Sequence, residues 1–233
     1  DTDYFGFSVS VYGDIAVIGA AFDDDGGSDS GSAYVFIRNG GVWNEQAKLK
    51  ASDAAASDRF GYSVSVSGNT ILVGAFLDDD TVNASGSAYV FTRSDNVWSE
   101  QAKLTASDKA ANDSFGYSVS VFGDTALIGS YRGGDAGSAY VFTRSSDAWS
   151  EQVRLSASDG ANGDNFGISV SLSEDTAVIS AYADDDAGSG SGTSYFFDMD
   201  FDFDEDGLPN INDPFVSLSG VQVDTTVDFI YDP

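Results

Sequence analysis

A Phe-Gly dipeptide recurs four times in the 233-residue chain, and this recurrence constrains the fold more than any other feature. Consecutive copies are 55, 55 and 51 residues apart. The dipeptides begin at Phe5, Phe60, Phe115 and Phe166. Tryptophans recur with nearly the same spacing, 55 and 51 residues apart, at Trp43, Trp98 and Trp149. Self-similarity with a period near 50 residues is typical of architectures in which each repeat is one supersecondary unit.

Each repeat divides into four segments that have the pattern of β-strands. In the second copy, residues 60–66 alternate apolar and small polar side chains, and residues 71–75 form a continuous apolar run. Residues 86–93 and 98–104 supply two further segments, and polar or glycine-containing turns separate all four. No segment has the period of an amphipathic helix. Four antiparallel strands per repeat indicate a propeller blade, in which the Phe, Trp and Tyr side chains form the core.

We therefore predict an all-β chain whose residues 1–197 form a β-propeller of four blades. The predicted repeats are 1–52, 53–107, 108–158 and 159–197. The blades form a small closed ring, or they are part of a larger or assembled propeller. The fourth repeat has Asp204 where the tryptophan is expected, so its outer strand is missing. Residues 216–233 complete that blade, pair with a neighbouring molecule or start another domain.

Composition excludes several classes of function. The chain has 38 acidic and 10 basic residues, and this net charge of −28 repels nucleic acid. No apolar run approaches the about 20 residues of a membrane span, so we predict no membrane insertion. The chain has neither cysteine nor histidine, which excludes thiolate sites and an ordinary Ser-His-Asp triad. Its aspartates lie among glycine and serine rather than in apolar pockets that raise a catalytic pKa, so we predict no enzymatic activity.

The clearest ligand motif lies in an acidic segment, residues 198–215. It follows the pattern D-x-D-x-D-G, in which alternate oxygen ligands wrap a calcium ion and Gly207 permits the sharp turn. A solvated acidic linker is the alternative interpretation. The predicted cofactor is calcium, and the predicted ligands are Asp202, Asp204, Asp206, Leu208 through its carbonyl, Asn210 and Asp213.

Acidic clusters also lie between the second and third strands of three repeats, at Asp23–Asp25, Asp78–Asp80 and Asp184–Asp186. The linkers between repeats should reach the same end of the blades, and they carry Asp53 and Asp58, Asp108 and Asp113, and Asp159 and Asp164. Arginines close the third strands and should lie at the opposite end, at Arg38, Arg93 and Arg144. The acidic loops bind further calcium or are solvated turns, and the sequence favours neither.

The order of the motifs resembles bacterial FG-GAP repeats, relatives of the blades in the integrin α-subunit head. The motifs are Phe-Gly-x-Ser-Val-x-Val, Ile-Gly-Ala, Gly-Ser-Ala-Tyr-Val-Phe and Trp-x-Glu-Gln-x-Lys-Leu, over about residues 1–197. Residues 198–215 are similar to thrombospondin type 3 calcium repeats. Integrin propellers have seven blades, whereas this chain has four repeat starts.

The resemblance implies a secreted or cell-surface protein, often stabilised by calcium, that serves adhesion or ligand binding. The partner would be an extracellular protein or a glycan. The alternative is that the chain binds copies of itself, as the structural subunit of an extracellular filament or surface layer.

Overall fold

The computed structural model describes residues 2–79, 82–134, 136–174, 176–186 and 188–199, which form fifteen strands and no helix. The strands are β1 (Ser8–Tyr12), β2 (Ile15–Ala20), β3 (Ser32–Asn39), β4 (Val42–Leu49), β5 (Ser63–Ser67), β6 (Thr70–Ala75), β7 (Ser87–Ser94), β8 (Val97–Leu104), β9 (Ser118–Phe122), β10 (Thr125–Ser130), β11 (Ser138–Ser145), β12 (Ala148–Leu155), β13 (Phe166–Leu172), β14 (Thr176–Ala181) and β15 (Thr193–Asp198). Accordingly, this part of the chain holds no helix that is long and apolar enough to cross a membrane. The prediction of an all-β fold is confirmed.

The strands form four antiparallel sheets, one for each repeat, in which neighbours in the chain are neighbours in the sheet. We name them blade 1 (β1–β4), blade 2 (β5–β8), blade 3 (β9–β12) and blade 4 (β13–β15). Blades 1 to 3 have four strands each, as predicted, and the described part of blade 4 has three. The first strand of each blade packs against the first strand of the next, so the blades succeed one another around a common inner side.

The Phe-Gly dipeptides join neighbouring blades. We predicted that Phe60 begins the first strand of blade 2, but that strand begins at Ser63, and Phe60 instead donates its amide to the carbonyl of Ser30 in blade 1, at 2.9 Å. Gly61 has φ +85°, and a Cβ atom there would overlap the carbonyl oxygen of Ser32. The predicted close approach of two backbones at this glycine is confirmed.

A hydrophobic core fills the space between each pair of blades. Phe60, Phe115 and Phe166 are completely buried there, and each packs edge-on against a tyrosine of its own blade. The ring centroids are 5.5 Å apart for Phe60–Tyr89, 5.4 Å for Phe115–Tyr140 and 5.3 Å for Phe166–Tyr195. Burial of one such side chain contributes about 1.5–3 kcal/mol, so the repeated phenylalanine is a main source of cohesion between blades.

Serines on the innermost strands add a repeated hydrogen-bond pattern between blades. Ser8 donates its hydroxyl to the carbonyl of Gly61 at 2.8 Å, and the hydroxyl oxygen of Ser10 accepts from the amide of Val66 at 3.1 Å. The same pairs recur between the later blades, at Ser63–Gly116, Ser65–Val121, Ser118–Gly167 and Ser120–Leu172. In these strands the serines form hydrogen bonds with the following blade, whereas the valines of blades 2 and 3 pack in the hydrophobic core shared with the preceding blade.

The side of blade 1 that faces away from blade 2 is exposed. We call this surface the leading face of blade 1, and it includes Phe5, Val9 and Val11, which are 55%, 70% and 67% exposed. Their counterparts in blade 2 are buried against blade 1. No described residue covers the leading face, so the described blades form an open array, and the closed ring that we considered is not formed within these ranges. Trp43 is also exposed, because no described blade precedes blade 1 and covers it. The prediction that every tryptophan lies in the core is therefore wrong for Trp43.

At the other end of the array, the surface of blade 4 that faces away from blade 3 differs from the internal interfaces at one position. Gly19, Gly74 and Gly129 have equivalent places in β2, β6 and β10, and a Cβ atom on any of them would overlap a carbonyl oxygen of the next blade. Blade 4 has Ser180 at this position. A fifth blade therefore cannot pack against blade 4 with the geometry of the internal interfaces.

Candidate cation site at the acidic loops

Aspartates from the loop and from the linker meet at one end of blades 2 and 4, as predicted. In blade 2, the hydroxyl oxygen of Tyr89 lies 2.8 Å from a carboxylate oxygen of Asp53 in the linker and 2.6 Å from one of Asp78 in the loop, so the two carboxylates share its single proton. The Nζ atom of Lys103, from the fourth strand, lies 2.7 Å from Asp53 and 2.8 Å from Asp78. One tyrosine and one lysine thus hold two carboxylates together. Burial is the largest cause of the raised pKa of Tyr89, and the two nearby carboxylates raise this pKa further.

Blades 1 and 3 also provide a basic residue. In blade 1, the Nζ atom of Lys48 lies 2.7 Å from the buried carboxylate of Asp23. Burial tends to raise the pKa of Asp23, but the hydrogen bond from Lys48, together with smaller favourable contacts, lowers it below its ordinary value. In blade 3 the loop is shorter, and Arg154 lies 3.4 Å from Asp108. The fourth strand therefore contributes one positive charge to the acidic end of each of these blades.

The described part of blade 4 has the corresponding carboxylates but no lysine or arginine beside them. Asp159, Asp184 and Asp186 each bring one carboxylate oxygen within 4.8 Å of the others. The hydroxyl oxygen of Tyr195 lies 2.7 Å from a carboxylate oxygen of Asp159 and 3.0 Å from one of Asp184, so these two carboxylates share its single proton. Among the described residues, no lysine or arginine forms an ion pair with these three aspartates. Repulsion from the buried carboxylate of Asp184 is the main cause of a raised pKa at Asp186.

The donor set of blade 4 fits a hard cation. Calcium prefers oxygen ligands at about 2.4 Å, so two ligands of one ion lie at most about 4.8 Å apart. The three carboxylates of Asp159, Asp184 and Asp186 meet this limit. In blades 1 and 2 a lysine ammonium group provides positive charge at the equivalent place. These three aspartates are therefore the described residues best suited to hold a metal ion.

Comparison with known families accounts for the repeats. The FG-GAP repeat family matches residues 1–36, 43–91, 98–142 and 149–197, which together make up more than half of the chain. The chain belongs to the FG-GAP repeat family. FG-GAP propellers are generally non-catalytic binding scaffolds, and the repeats occur in extracellular or surface proteins.

Individual proteins add little to this family assignment. No curated protein matches the FG-GAP chain significantly. Among solved structures, it is similar to the N-terminal domain of Nup159, with 11% sequence identity and a TM-score of 0.42. The similarity covers 82% of this chain and 44% of that one, so the FG-GAP chain spans less than half of that structure's length.

Not every aspartate at the acidic end of the FG-GAP blades belongs to a cluster. Asp58 is buried, and its carboxylate accepts a hydrogen bond from the amide of Ala55 at 2.6 Å. The same contact recurs at Asp113–Ala110 and Asp164–Ala161. These aspartates close the turns of the linkers, which is a structural role that the sequence interpretation did not separate from cation binding.

The predicted calcium loop cannot be compared with this geometry. Asp202, Asp204, Asp206, Leu208, Asn210 and Asp213 lie outside the described residues, as do Asp80 and the segment 216–233. The loop therefore stays a prediction.

Sequence interpretation also missed the tyrosines and bases of the clusters. It assigned the tyrosines to the core, which is confirmed for Tyr89, Tyr140 and Tyr195, but it did not predict that their hydroxyls contact the carboxylates. Their periodicity was available as a signal, because both sets recur with nearly the spacing of the Phe-Gly dipeptides. The tyrosines are Tyr34, Tyr89, Tyr140 and Tyr195, and the bases are Lys48, Lys103 and Arg154.

Proposed function

We propose that the chain is a secreted, non-enzymatic FG-GAP propeller module that binds calcium and serves adhesion or ligand binding at the cell exterior. The observation that carries this proposal is the unequal neutralisation of the acidic clusters. A lysine or arginine forms an ion pair with an aspartate in blades 1 to 3, whereas the described part of blade 4 offers Asp159, Asp184 and Asp186 alone. A calcium ion supplies in blade 4 the charge that the basic side chain supplies elsewhere.

Bound calcium also provides a means of ligand recognition. Calcium takes about six to eight oxygen ligands, and three carboxylates leave positions for water or for oxygens of a partner. A carboxylate of an extracellular protein or the hydroxyls of a glycan suit those positions. The predicted loop at residues 202–213 is proposed as a second, structural calcium site that stiffens the exit from blade 4.

The first test is the effect of calcium on thermal unfolding. Calcium at about 100 times its Kd is expected to stabilise the wild-type chain by about 2.7 kcal/mol per site, and EDTA should reverse the gain. Asp184→Asn should remove the part of the gain that comes from blade 4, because the central carboxylate of the cluster is lost. Differential scanning calorimetry with and without calcium measures both effects.

Two controls separate the sites. Asp185→Asn removes the same charge from the same loop but not from the cluster, so it should keep the full calcium response. The double variant Asp204→Asn and Asp206→Asn should lose only the contribution of the predicted loop, and calorimetric titration should count one ion fewer. An unchanged calcium response in Asp184→Asn contradicts the proposed site in blade 4.

A second candidate function is self-association as a structural subunit, and the exposed leading face of blade 1 favours it. Contiguous exposed apolar surface of this kind marks interaction sites in soluble proteins. Ser180 opposes the addition of copies head to tail with the geometry of the internal interfaces. Two leading faces related by a two-fold axis are therefore the favoured contact, and a filament or surface layer needs a second contact between other surfaces.

Sedimentation velocity tests this second candidate. The double variant Val9→Asp and Val11→Asp places two charges on the leading face, and it is expected to convert an associated chain into a monomer. Val97→Asp is the matched control, because Val97 is equally exposed but lies on β8, away from the leading face. A wild-type chain that stays monomeric at all concentrations, or equal effects of both variants, contradicts self-association through this face.

A further inference from the structure

An arginine and an aspartate form a pair at the opposite end of blades 1 and 3 from the acidic loops. The Nε atom of Arg38 donates to the carboxylate of Asp14 at 2.7 Å, and Arg144 makes the same contact with Asp124 at 2.7 Å. Each arginine also donates its backbone amide to the carbonyl of the same aspartate, at 2.8 Å. The arginines thus lie at the end of the blades that the sequence predicted, beside the turn between the first and second strands.

Blade 2 keeps this arrangement but lacks the carboxylate. Asn69 replaces the aspartate, and its carbonyl still accepts the backbone amide of Arg93 at 3.0 Å. The Nη2 atom of Arg93 donates to the amide oxygen of Asn96 at 2.7 Å. Its Nε atom is buried and has no hydrogen-bond partner in the described structure. Within those ranges no carboxylate forms an ion pair with Arg93.

Arg93 borders an open depression of about 950 Å³ at this end of the blades. The lining combines hydroxyl and amide groups, including those of Ser67, Gln101 and Ser146, with two exposed aromatic rings. It also includes Arg144 and two carboxylates, those of Asp124 and Asp147. The rings belong to Tyr12 and Phe122, which are 51% and 40% exposed. The size is within the range of small-molecule sites, and exposed rings beside hydrogen-bonding groups suit the apolar faces and hydroxyl edges of a sugar.

We propose that this depression binds a carboxylate-bearing sugar, such as a uronic acid unit of a polysaccharide. The sugar carboxylate supplies Arg93 with the charge partner that Asp14 supplies to Arg38. A guanidinium group matches a carboxylate in shape and charge. The hydroxyl groups of the lining favour a sugar over an acidic peptide. This site is independent of the calcium site, because it lies at the other end of the strands.

The charge of the chain affects how such a ligand approaches. The net charge of −28 opposes an anion at long range. At an ionic strength of about 0.15 M this repulsion is screened beyond about 8 Å, whereas direct contacts with Arg93 are screened much less. Binding should therefore be measured at physiological salt, where the short-range contact dominates.

Isothermal titration with a short oligogalacturonate, in EDTA and at about 0.15 M salt, tests the proposal. The wild-type chain is expected to bind the acidic sugar at least about tenfold more tightly than the matching neutral oligogalactoside. Arg93→Gln should weaken binding of the acidic sugar at least about tenfold. EDTA keeps the calcium site empty, so failure of the calcium proposal leaves this result unaffected.

The repeats provide a matched pair of variants. Asn69→Asp introduces the residue that blades 1 and 3 have at this position, and the new carboxylate should pair with Arg93. Affinity for the acidic sugar should then fall at least about tenfold, with no loss of thermal stability. Asp124→Asn frees Arg144 and removes a carboxylate from the lining of the same depression, so it should tighten binding of the acidic sugar. Unchanged affinity in Asn69→Asp, equal binding of the neutral sugar, no binding of the acidic sugar, or preference for a tetraglutamate peptide would each overturn the proposal.

Discussion

Phe115→Ala is expected to lower the free energy of unfolding by about 3–5 kcal/mol. Phe115 is completely buried between blades 2 and 3, where its ring packs against Tyr140 and, at a centroid distance of 6.1 Å, against Phe142. Truncation leaves a cavity between two sheets that hydrogen bonds hold at fixed separation, so the structure cannot collapse to fill it. Urea denaturation followed by tryptophan fluorescence measures the change.

Phe5→Ala is the matched control for this variant. Phe5 has the same place in its repeat and the same edge-on contact with its own tyrosine, Tyr34, at 5.2 Å, but no described blade covers it. We expect a cost below about 1 kcal/mol, since the ring is already more than half exposed. The difference between the two variants isolates the contribution of the neighbouring blade. Equal costs would show that the leading face of blade 1 is covered in solution or that Phe115 lies outside the core.

Gly74→Ala is expected to cost about 3 kcal/mol, although the change adds only one methyl group. A Cβ atom on Gly74 would overlap the carbonyl oxygen of Gly116 in blade 3 and the hydroxyl of Ser63. The first of these is a backbone atom that cannot rotate away, so the two blades must separate and the core between them loosens. The melting temperature and the urea midpoint should both fall.

The control is Ser180→Ala, at the equivalent position of blade 4. That position already has a Cβ atom, and no blade within the described ranges follows it, so the expected change is below about 1 kcal/mol. A stability of Gly74→Ala close to that of the wild type would mean that blades 2 and 3 do not approach as closely as the structure has them.

Much of the fold could be predicted from the sequence because the repeat encodes it locally. The positions of the strands follow from the alternation of serine with valine and from turn residues, and both signals act over a few neighbours, although the first strand of blade 2 begins at Ser63 rather than at Phe60. Four agreeing copies strengthen the assignment to FG-GAP blades. The placement of Arg38, Arg93 and Arg144 away from the acidic loops also follows, because antiparallel strands reverse direction at each turn.

The candidate site was harder to predict because its groups are distant in the chain. Asp53, Asp78 and Lys103 meet only when the linker, the loop and the fourth strand are folded together. Asp58 and Asp78 are alike as residues, yet the first caps a turn and the second joins a cluster. No local pattern separates these two roles.

By itself, the sequence determined the repeat, the strand order and the exclusion of thiol and histidine chemistry, since these depend on residue type and spacing alone. Only the tertiary structure decided which copies of a repeated residue have the same surroundings. Phe5 and Phe115 share one motif, but a neighbouring blade buries the second and not the first. Burial and pairing depend on what lies across an interface, and that information is absent from the motif that both copies carry.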